Sequence, residues 1–324
     1  MGCHISEVKP ENRIEAYTAL KTKDFLRDCQ KQGKNFFCWA SFHGPHQPYT
    51  PPAKWAALYP VEKMPLPASW NEPIDHLPPG LQNWRRNTKT PWSLAKAAEN
   101  PTLYRQYIAY YFAQVTEVDH FIGDVLAELE ALGLRDNTIV IYASDHGDFV
   151  ARHGMIEKCA VSHNVYEETL RVPLIVSWPK RFQQGATCNS LAELVDLYPT
   201  LVELLGLQRP ADAPKLAGRS LVPTLAEGKP TGRAYAVSEN WSQTTIITDR
   251  YKLGTWIDPT PRYAQRDFRQ KFPDLLFDRE QDPQELAHLV DKPDYAGVEQ
   301  QLRAHLAEWV GRTADDGKKA LSAS

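Results

Sequence analysis

The stretch Thr138–Asp148, with the sequence TIVIYASDHGD, joins a β-branched apolar run to a cluster of polar residues. The run Thr138–Ala143 is typical of a buried strand. Asp145 and His146 follow at its carboxyl end, which is where ligands gather in open α/β sheets. A carboxylate and an imidazole at this place are suited to a divalent cation. The alternative is that Asp145 and Asp148 cap the next helix and that His146 only packs.

Helices and strands alternate on both sides of this stretch. Thr102–Gly133 carries apolar residues at three- and four-residue spacing, which predicts an amphipathic helix. Asn35–Phe42 and Val172–Ser177 predict two further buried strands, and Ser190–Val195 is the candidate for a fourth strand, before a helix at Tyr198–Leu205. This alternation predicts an α/β fold with a mostly parallel sheet covered by helices.

The pattern changes after about residue 225 to short strands separated by turns. A final helix, Ala296–Val310, carries an apolar face. We therefore predict a small C-terminal antiparallel sheet with a packed helix. The predicted domains are 1–225, an α/β domain, and 226–324, an α+β subdomain.

Composition excludes several classes of protein. The 324 residues carry 37 basic and 40 acidic side chains, a net charge of −3, without the basic stripe of a nucleic-acid-binding protein. The longest apolar runs fall far short of the roughly 20 residues that span a bilayer, so we expect no membrane span. The five cysteines form no Cys-x-x-Cys pair. We expect Cys38 to be buried in its apolar run. Arg85 and Arg86 could contact an anionic sugar, but we favour the interpretation that they lie in solvent.

Two further motifs carry candidate catalytic residues. The stretch Ser41–Tyr49, SFHGPHQPY, holds His46 between two prolines, which stiffen the loop around an imidazole able to transfer protons near neutral pH. Lys158 follows Asp145 by thirteen residues and could neutralise an anionic substrate. Taken alone, His46 is also explained as a solvated turn residue and Lys158 as a surface charge.

Taken together, in this order and spacing, the motifs resemble the type I sulfatases of the alkaline-phosphatase superfamily. The resemblance extends from Phe36 to Trp309 and is nearest to the iduronate-2-sulfatase, choline-sulfatase and sulfoglucosamine-sulfatase branches. It implies an alkaline-phosphatase-like fold and the hydrolysis of sulfate esters. The matching segments are FHGPHQPY at 42–49, SDHGD at 144–148, HGMIEK at 153–158, YEETLRVPLIV at 166–176, LVDLYPTL at 194–201 and LFDREQDPQEL at 276–286.

The resemblance also implies roles for four residues. Asp145 and His146 correspond to two ligands of one divalent cation, Ca²⁺ or Mg²⁺. Lys158 corresponds to the lysine that holds the sulfate oxygens, and His46 to the histidine that assists the leaving oxygen. The implied partner is a small sulfated substrate, either a sugar or a small alcohol or aryl sulfate. The implied compartment is periplasmic, secreted or lysosomal, and the oligomeric state is not indicated.

One departure from the family concerns the nucleophile. Its motif, Cys or Ser followed by x-Pro-Ser-Arg, does not occur in the 324 residues. The paired aspartates that open the first strand of the family and supply the upstream metal ligands are also missing. We therefore expect a C-terminal portion of a sulfatase that is inactive alone and holds its cation weakly. Two alternatives stay open: a phosphonate or phosphate ester hydrolase of the same superfamily, and a non-catalytic protein that binds sulfated ligands.

Overall fold

The computed structural model describes residues 2–86, 100–158, 165–211, 213, 215–240, 243–256 and 268–313. The chain divides into two compact units. Unit 1 comprises residues 1–74, 82–160 and 173–180, and unit 2 comprises residues 75–81, 161–172 and 181–324.

The helices are α1 (Ile14–Gln32), α2 (Ala53–Ala56), α3 (Pro79–Arg86), α4 (Pro101–Ala131), α5 (Glu167–Leu170), α6 (Leu197–Leu204), α7 (Val222–Glu227), α8 (Phe268–Lys271) and α9 (Ala296–Thr313). The strands are β1 (Val140–Ala143), β2 (Leu174–Ser177), β3 (Ala236–Asn240), β4 (Gln243–Ile247), β5 (Tyr251–Trp256) and β6 (Leu275–Asp278).

Helix α4 is the longest element of unit 1 and confirms the helix predicted at this place. The Asn100 side chain caps it by accepting a hydrogen bond from the Thr102 backbone N–H, and Pro101 occupies the first turn, where its missing N–H costs nothing. Helix α1 packs against α4, and Arg27 makes a bidentate pair with Glu128 at 2.8 Å. Among the helices that the structure describes, none is both long enough and apolar enough to cross a bilayer.

The strands predicted around Ile141 and Ile175 both form, as β1 and β2 of unit 1. They pair with each other in antiparallel register, with Val140 opposite Ser177 and Ala143 opposite Leu174. This differs from the parallel pairing expected from the alternation of helices and strands. An apolar run specifies a strand that can be buried, but it does not specify the direction of its neighbour.

The segment Asn35–Phe42 joins no ladder among the described residues, so the strand predicted there is not formed. Phe37 and Trp39 are 74% and 81% exposed, and Cys38 is an exposed free thiol, contrary to its expected burial. The strand predicted at Ser190–Val195 is also wrong, because the chain there is irregular and then enters a 3₁₀ turn at Leu194–Asp196.

Unit 2 contains the predicted antiparallel sheet with its packed helix. Its strands lie in the order β3-β4-β5-β6, each antiparallel to the next. Helix α9 packs against β4 and β5, and the apolar core of the unit includes Ile246, Leu253, Leu276, Leu306 and Trp309.

A buried ion pair holds the start of α6 to the chain that leads into β3. The carboxylate of Asp196 is fully buried and accepts hydrogen bonds from the backbone N–H groups of Glu193 and Arg219, at 2.8 Å and 2.7 Å. It also pairs with the guanidinium of Arg233, which Glu193 contacts from the other side at 2.8 Å. Because Asp196 and Arg233 are both buried, water does not readily replace this carboxylate as the partner of the guanidinium.

We expect Asp196→Ala to lower the free energy of unfolding by about 3–5 kcal/mol, because it leaves a buried guanidinium short of one partner. Urea denaturation followed by circular dichroism measures the loss. The control is Asp136→Ala, whose partner Lys180 is mostly exposed, and here we expect at most about 1 kcal/mol. Equal effects of the two substitutions would contradict a structural role for the buried pair.

Candidate active site

Asp145 and His146 lie together just beyond the carboxyl end of β1. The Asp145 Oδ2 atom is 3.8 Å from His146 Nε2, and Asp145 Oδ1 accepts a hydrogen bond from the His146 backbone N–H at 3.0 Å. The His146 Nδ1 atom is 2.8 Å from the carbonyl oxygen of Gly147. A proton on Nδ1, donated to this carbonyl, leaves the Nε2 lone pair on the side of the Asp145 carboxylate, which is the arrangement that metal-ligating histidines adopt. The Asp145 side chain is 87% exposed, so the pair is open to solvent.

His46 and Lys158 come together at a residue that the sequence analysis did not single out. The Glu157 Oε1 atom lies 3.1 Å from Lys158 Nζ and 3.7 Å from His46 Nε2. The other ring nitrogen of His46, Nδ1, is 2.7 Å from the carbonyl oxygen of Gln47. Glu157 was visible in the sequence only as the residue before Lys158 in HGMIEK, and nothing in that position indicates where its side chain points.

The desolvated carboxylate of Asp148, a residue that is itself half-buried, links the segments that carry these residues. Its Oδ2 atom accepts a hydrogen bond from the Tyr49 hydroxyl at 3.0 Å. Its Oδ1 atom accepts hydrogen bonds from the Tyr107 hydroxyl and from the backbone N–H groups of Val150 and Glu157, the last two at 2.9 Å and 3.0 Å. Burial and then the charge of Asp148 raise the pKa of both tyrosines, so both stay protonated donors.

These contacts fix three loops at one point. Tyr49 ends the loop that carries His46, Glu157 precedes Lys158, and Asp148 itself follows the Asp145–His146 pair. Burial raises the pKa of the Asp148 carboxyl, and the hydrogen bonds from the tyrosines and the backbone act in the opposite direction. The four donors therefore stabilise the charge that burial disfavours.

The loop between Asp148 and Lys158 has an unusual backbone. Four of its non-glycine residues adopt positive φ angles, from +44° to +73°, which L-amino acids rarely do. The loop is held in this conformation by the bonds to Asp148, by the Tyr104 hydroxyl on the Gly154 carbonyl at 2.9 Å, and by buried apolar side chains. Such strain is typical of functional sites. The four residues are Val150, Ala151, His153 and Glu157.

Arg85 supports this loop from the interior. The prediction that Arg85 lies in solvent is therefore wrong. Arg85 is only 6% exposed and donates hydrogen bonds to the carbonyl oxygens of Trp70 and Glu72, at 3.3 Å and 3.2 Å. Its guanidinium packs so closely on Gly154 that a Cβ atom there would lie 2.7 Å away. The Arg86 side chain lies outside the described residues.

A residue of this loop, His153, forms a second imidazole–carboxylate pair in unit 1. His153 Nδ1 is 2.7 Å from Glu72 Oε1, and the His153 side chain is fully buried. An imidazole and a carboxylate are groups from which a metal site can be built. The sequence motif assigned His153 no role.

A cavity of about 230 Å³ lies beside His46, with Arg13 and Gln114 among its lining residues. Behind it, Arg13 Nε is 2.7 Å from the carboxylate of Glu117, a residue of α4 that is only 1% exposed. Burial raises the pKa of Glu117 to about 7, and the nearby charge of Arg13 offsets this only in part. Glu117 is therefore a carboxyl group that changes its charge near neutral pH.

Two family descriptions match the chain. The Sulfatase family matches residues 9–207, and the family described as N-sulphoglucosamine sulphohydrolase, C-terminal, matches residues 152–311. The chain belongs to the sulfatase family. The resemblance stated from the sequence motifs is thereby confirmed.

Three curated relatives illustrate how much of the family this sulfatase chain represents. The multifunctional alkaline phosphatase superfamily protein PehA of Trinickia caryophylli is 28% identical, over 93% of this chain and 59% of its own length. An N-acetylglucosamine-6-O-sulfatase of Bacteroides thetaiotaomicron is 32% identical, over 63% of this chain and 36% of its own length. An arylsulfatase of Clostridium perfringens is 29% identical, over 92% and 58%. The sulfatase chain thus spans between about a third and three fifths of the length of these relatives.

Solved structures confirm the alkaline-phosphatase-like α/β fold. BT4656 in complex with D-glucosamine-2-N,6-O-disulfate has a TM-score of 0.73 at 22% identity, covering 94% of this chain and 71% of that one. The phosphonate monoester hydrolase SpPMH from Silicibacter pomeroyi has a TM-score of 0.75 at 23% identity, covering 96% and 62%. At these identities the likeness concerns the fold alone.

We expect Tyr49→Phe to lower the free energy of unfolding by about 1.5–3 kcal/mol, because it removes a hydrogen bond to a buried carboxylate. The matched control is Tyr59→Phe, which removes a hydrogen bond of 2.6 Å to the neutral hydroxyl of Thr116 and should cost about 0.5–1.5 kcal/mol. Urea denaturation of both variants measures the difference. A loss at Tyr49 no larger than the loss at Tyr59 would count against Asp148 as an ionised anchor.

We also expect a pH dependence of stability that originates at Glu117. Between the usual pKa of 4.5 and the folded-state pKa of about 7, the unfolded chain releases a proton that the folded protein keeps. The free energy of unfolding therefore falls as the pH rises through this window. Glu117→Gln cannot ionise, so its stability difference between pH 5 and pH 8 should be smaller, by on the order of 1–3 kcal/mol.

The matched control for this experiment is Glu130→Gln, an exposed residue of the same helix. It should keep the wild-type dependence on pH in urea denaturation. If Glu117→Gln and Glu130→Gln show the same pH dependence, another group causes it.

Proposed function

We propose that the site belongs to a hydrolase of sulfate esters and that it holds the sulfate group and the leaving oxygen of a sulfated sugar. The observation that carries the proposal is the convergence of three motif-bearing loops on the carboxylate of Asp148. Loops tied at one buried charge present their exposed side chains in a reproducible arrangement, as a reaction with several participating groups requires.

Lys158 is the proposed contact for the sulfate oxygens. Its ammonium group is a compact positive charge on a side chain that is 40% exposed, so an anion can reach it from solvent. Charge that develops on the transferring group in the transition state is stabilised by a cation already in place.

His46 is the proposed proton donor to the leaving oxygen. A proton on Nδ1, donated to the Gln47 carbonyl at 2.7 Å, orients the ring, and Nε2 then faces the region next to Lys158. The side chain is 36% exposed and can reach a bound ester. A proton transferred from Nε2 of the doubly protonated imidazolium in the transition state turns a poor alkoxide leaving group into an alcohol and leaves a neutral imidazole that keeps its Nδ1 proton.

Asp145 and His146 are the residues that we propose for a divalent cation, Ca²⁺ or Mg²⁺. Their donors fit the role, because a free carboxylate oxygen and an imidazole nitrogen with a carbonyl-bound partner nitrogen lie 3.8 Å apart. When bound, such an ion supplies Lewis-acid stabilisation of charge on the sulfate oxygens. Because Ca²⁺ takes about 6–8 oxygen ligands, this pair supplies only part of the set and would hold the ion weakly by itself.

The proposed substrate class is a sulfated sugar. It is supported by one relative that is named as an N-acetylglucosamine-6-O-sulfatase, and by one structural neighbour solved with a disulfated glucosamine. A second candidate function is the hydrolysis of phosphonate monoesters. It is favoured by the likeness to two phosphonate monoester hydrolases, with TM-scores of 0.75 and 0.74.

The proposed function predicts binding without turnover for this chain. Covalent catalysis needs an activated nucleophile against the sulfur, and the motif that provides one in the family is not among these 324 residues. We therefore expect phenyl sulfate to bind in the presence of Ca²⁺ and not to be hydrolysed. Lys158→Ala should weaken the binding about 10- to 150-fold, as expected for the loss of a charge-assisted hydrogen bond of about 1.5–3 kcal/mol.

Isothermal titration calorimetry measures this affinity, and an assay for released phenol measures turnover. Lys180→Ala is the matched control, since Lys180 is an exposed lysine of the same unit and should leave binding unchanged. Unchanged affinity in Lys158→Ala would contradict the proposed sulfate contact. Turnover by the chain would show that it contains a nucleophile outside the expected motif.

A further inference from the structure

We infer that Glu157 determines specificity at this site: its carboxylate shifts the selectivity of the site towards a singly charged ester and away from a doubly charged one. The singly charged class includes sulfate monoesters, and the doubly charged class includes phosphate monoesters of the same shape. The inference rests on the proposed function, in which Lys158 receives the anionic group.

The position of Glu157 relative to Lys158 is the first observation. The carboxylate is 3.1 Å from the ammonium group and 3.7 Å from the His46 ring. The Glu157 side chain is only 10% exposed, whereas those of Lys158 and His46 are 40% and 36% exposed. An anion that arrives from solvent therefore meets Lys158 and His46 first, with the carboxylate behind them.

The second observation is that the Glu157 backbone is held on both sides. Its N–H donates to the Asp148 carboxylate at 3.0 Å, and its carbonyl oxygen accepts from the Phe149 N–H at 3.1 Å. Its φ angle of +58° is in the left-handed region that only a firmly held glutamate adopts. A ligand therefore cannot displace this carboxylate by a small movement of the loop.

The consequence follows from the charges. Glu157 offsets most of the attraction that Lys158 offers, and it repels each negative charge of the ligand. A sulfate monoester carries one such charge, whereas a phosphate monoester carries close to two above its second pKa of about 6. At about 4 Å from the Glu157 carboxylate in a solvated site, each negative charge of the ligand lowers the binding free energy by about 1 kcal/mol, which is about fivefold in affinity. The doubly charged ester therefore loses this binding free energy twice.

The test compares phenyl sulfate with phenyl phosphate as ligands of the full chain at pH 8, by isothermal titration calorimetry in a buffer containing Mg²⁺. Glu157→Gln removes the charge and keeps the size of the side chain. It should strengthen the binding of phenyl sulfate about fivefold and that of phenyl phosphate about 25-fold, so that the selectivity ratio changes about fivefold. Glu157→Asp keeps the charge and should keep most of the selectivity.

Two further variants complete the design. Glu130→Gln removes an exposed glutamate charge on α4 and should leave both affinities unchanged. Glu157→Gly suits the left-handed backbone and removes the same charge, so it replaces Glu157→Gln if circular dichroism shows that the latter is not folded.

The outcomes separate the inference from the proposed function. If both ligands bind and the selectivity ratio is the same without the Glu157 charge, the specificity role is overturned and the proposed anion site stands. If neither ligand binds to the wild type or to any variant, the proposed anion site is overturned, and the specificity role with it.

Discussion

The carboxylate of Asp148 is the contact on which the candidate site of this sulfatase chain depends. A charge buried away from water must be paired or hydrogen-bonded, and Asp148 meets this requirement with two tyrosine hydroxyls and two backbone N–H groups. These donors come from α4, from the end of the His46 loop and from the strained loop before Lys158. The geometry of the site thus follows from the stabilisation of one buried charge.

The residues that hold the site in place differ from the residues that are proposed to take part in the reaction. Of the supporting groups, Tyr107 and Arg85 are buried, and Asp148 is a half-buried residue whose carboxylate is desolvated and accepts four hydrogen bonds. The groups proposed for chemistry, such as Asp145 and Lys158, are partly or largely exposed. A rigid interior can thus hold side chains that must exchange solvent for substrate. Glu157 belongs to neither set alone, because its own side chain is buried and its carboxylate contacts the partly exposed ammonium group of Lys158.

Local sequence patterns correctly predicted the helices and strands that form from consecutive residues. The three- and four-residue spacing in α4 and the short strands of the C-terminal sheet were correct, because an amphipathic helix and a meander each form from consecutive residues. Helix α1 was not predicted, since its buried face consists mostly of small or polar residues such as Ala19 and Thr22, whereas the large apolar residue Leu20 is exposed. The strand at Asn35–Phe42 failed for a related reason, as a strand exists only through a partner that the pattern does not name.

The sequence by itself determined the family and the identity of the four candidate site residues, because motif order and spacing are properties of the chain alone. Its motifs also placed Asp145 and His146 correctly at the end of β1. Only the tertiary structure decided that β1 and β2 run antiparallel, that Arg85 is buried under a glycine, and that Glu157 stands between His46 and Lys158. These facts depend on which groups from distant segments satisfy one another in the interior, and that pairing is settled by packing and by the cost of leaving a buried polar group without a partner.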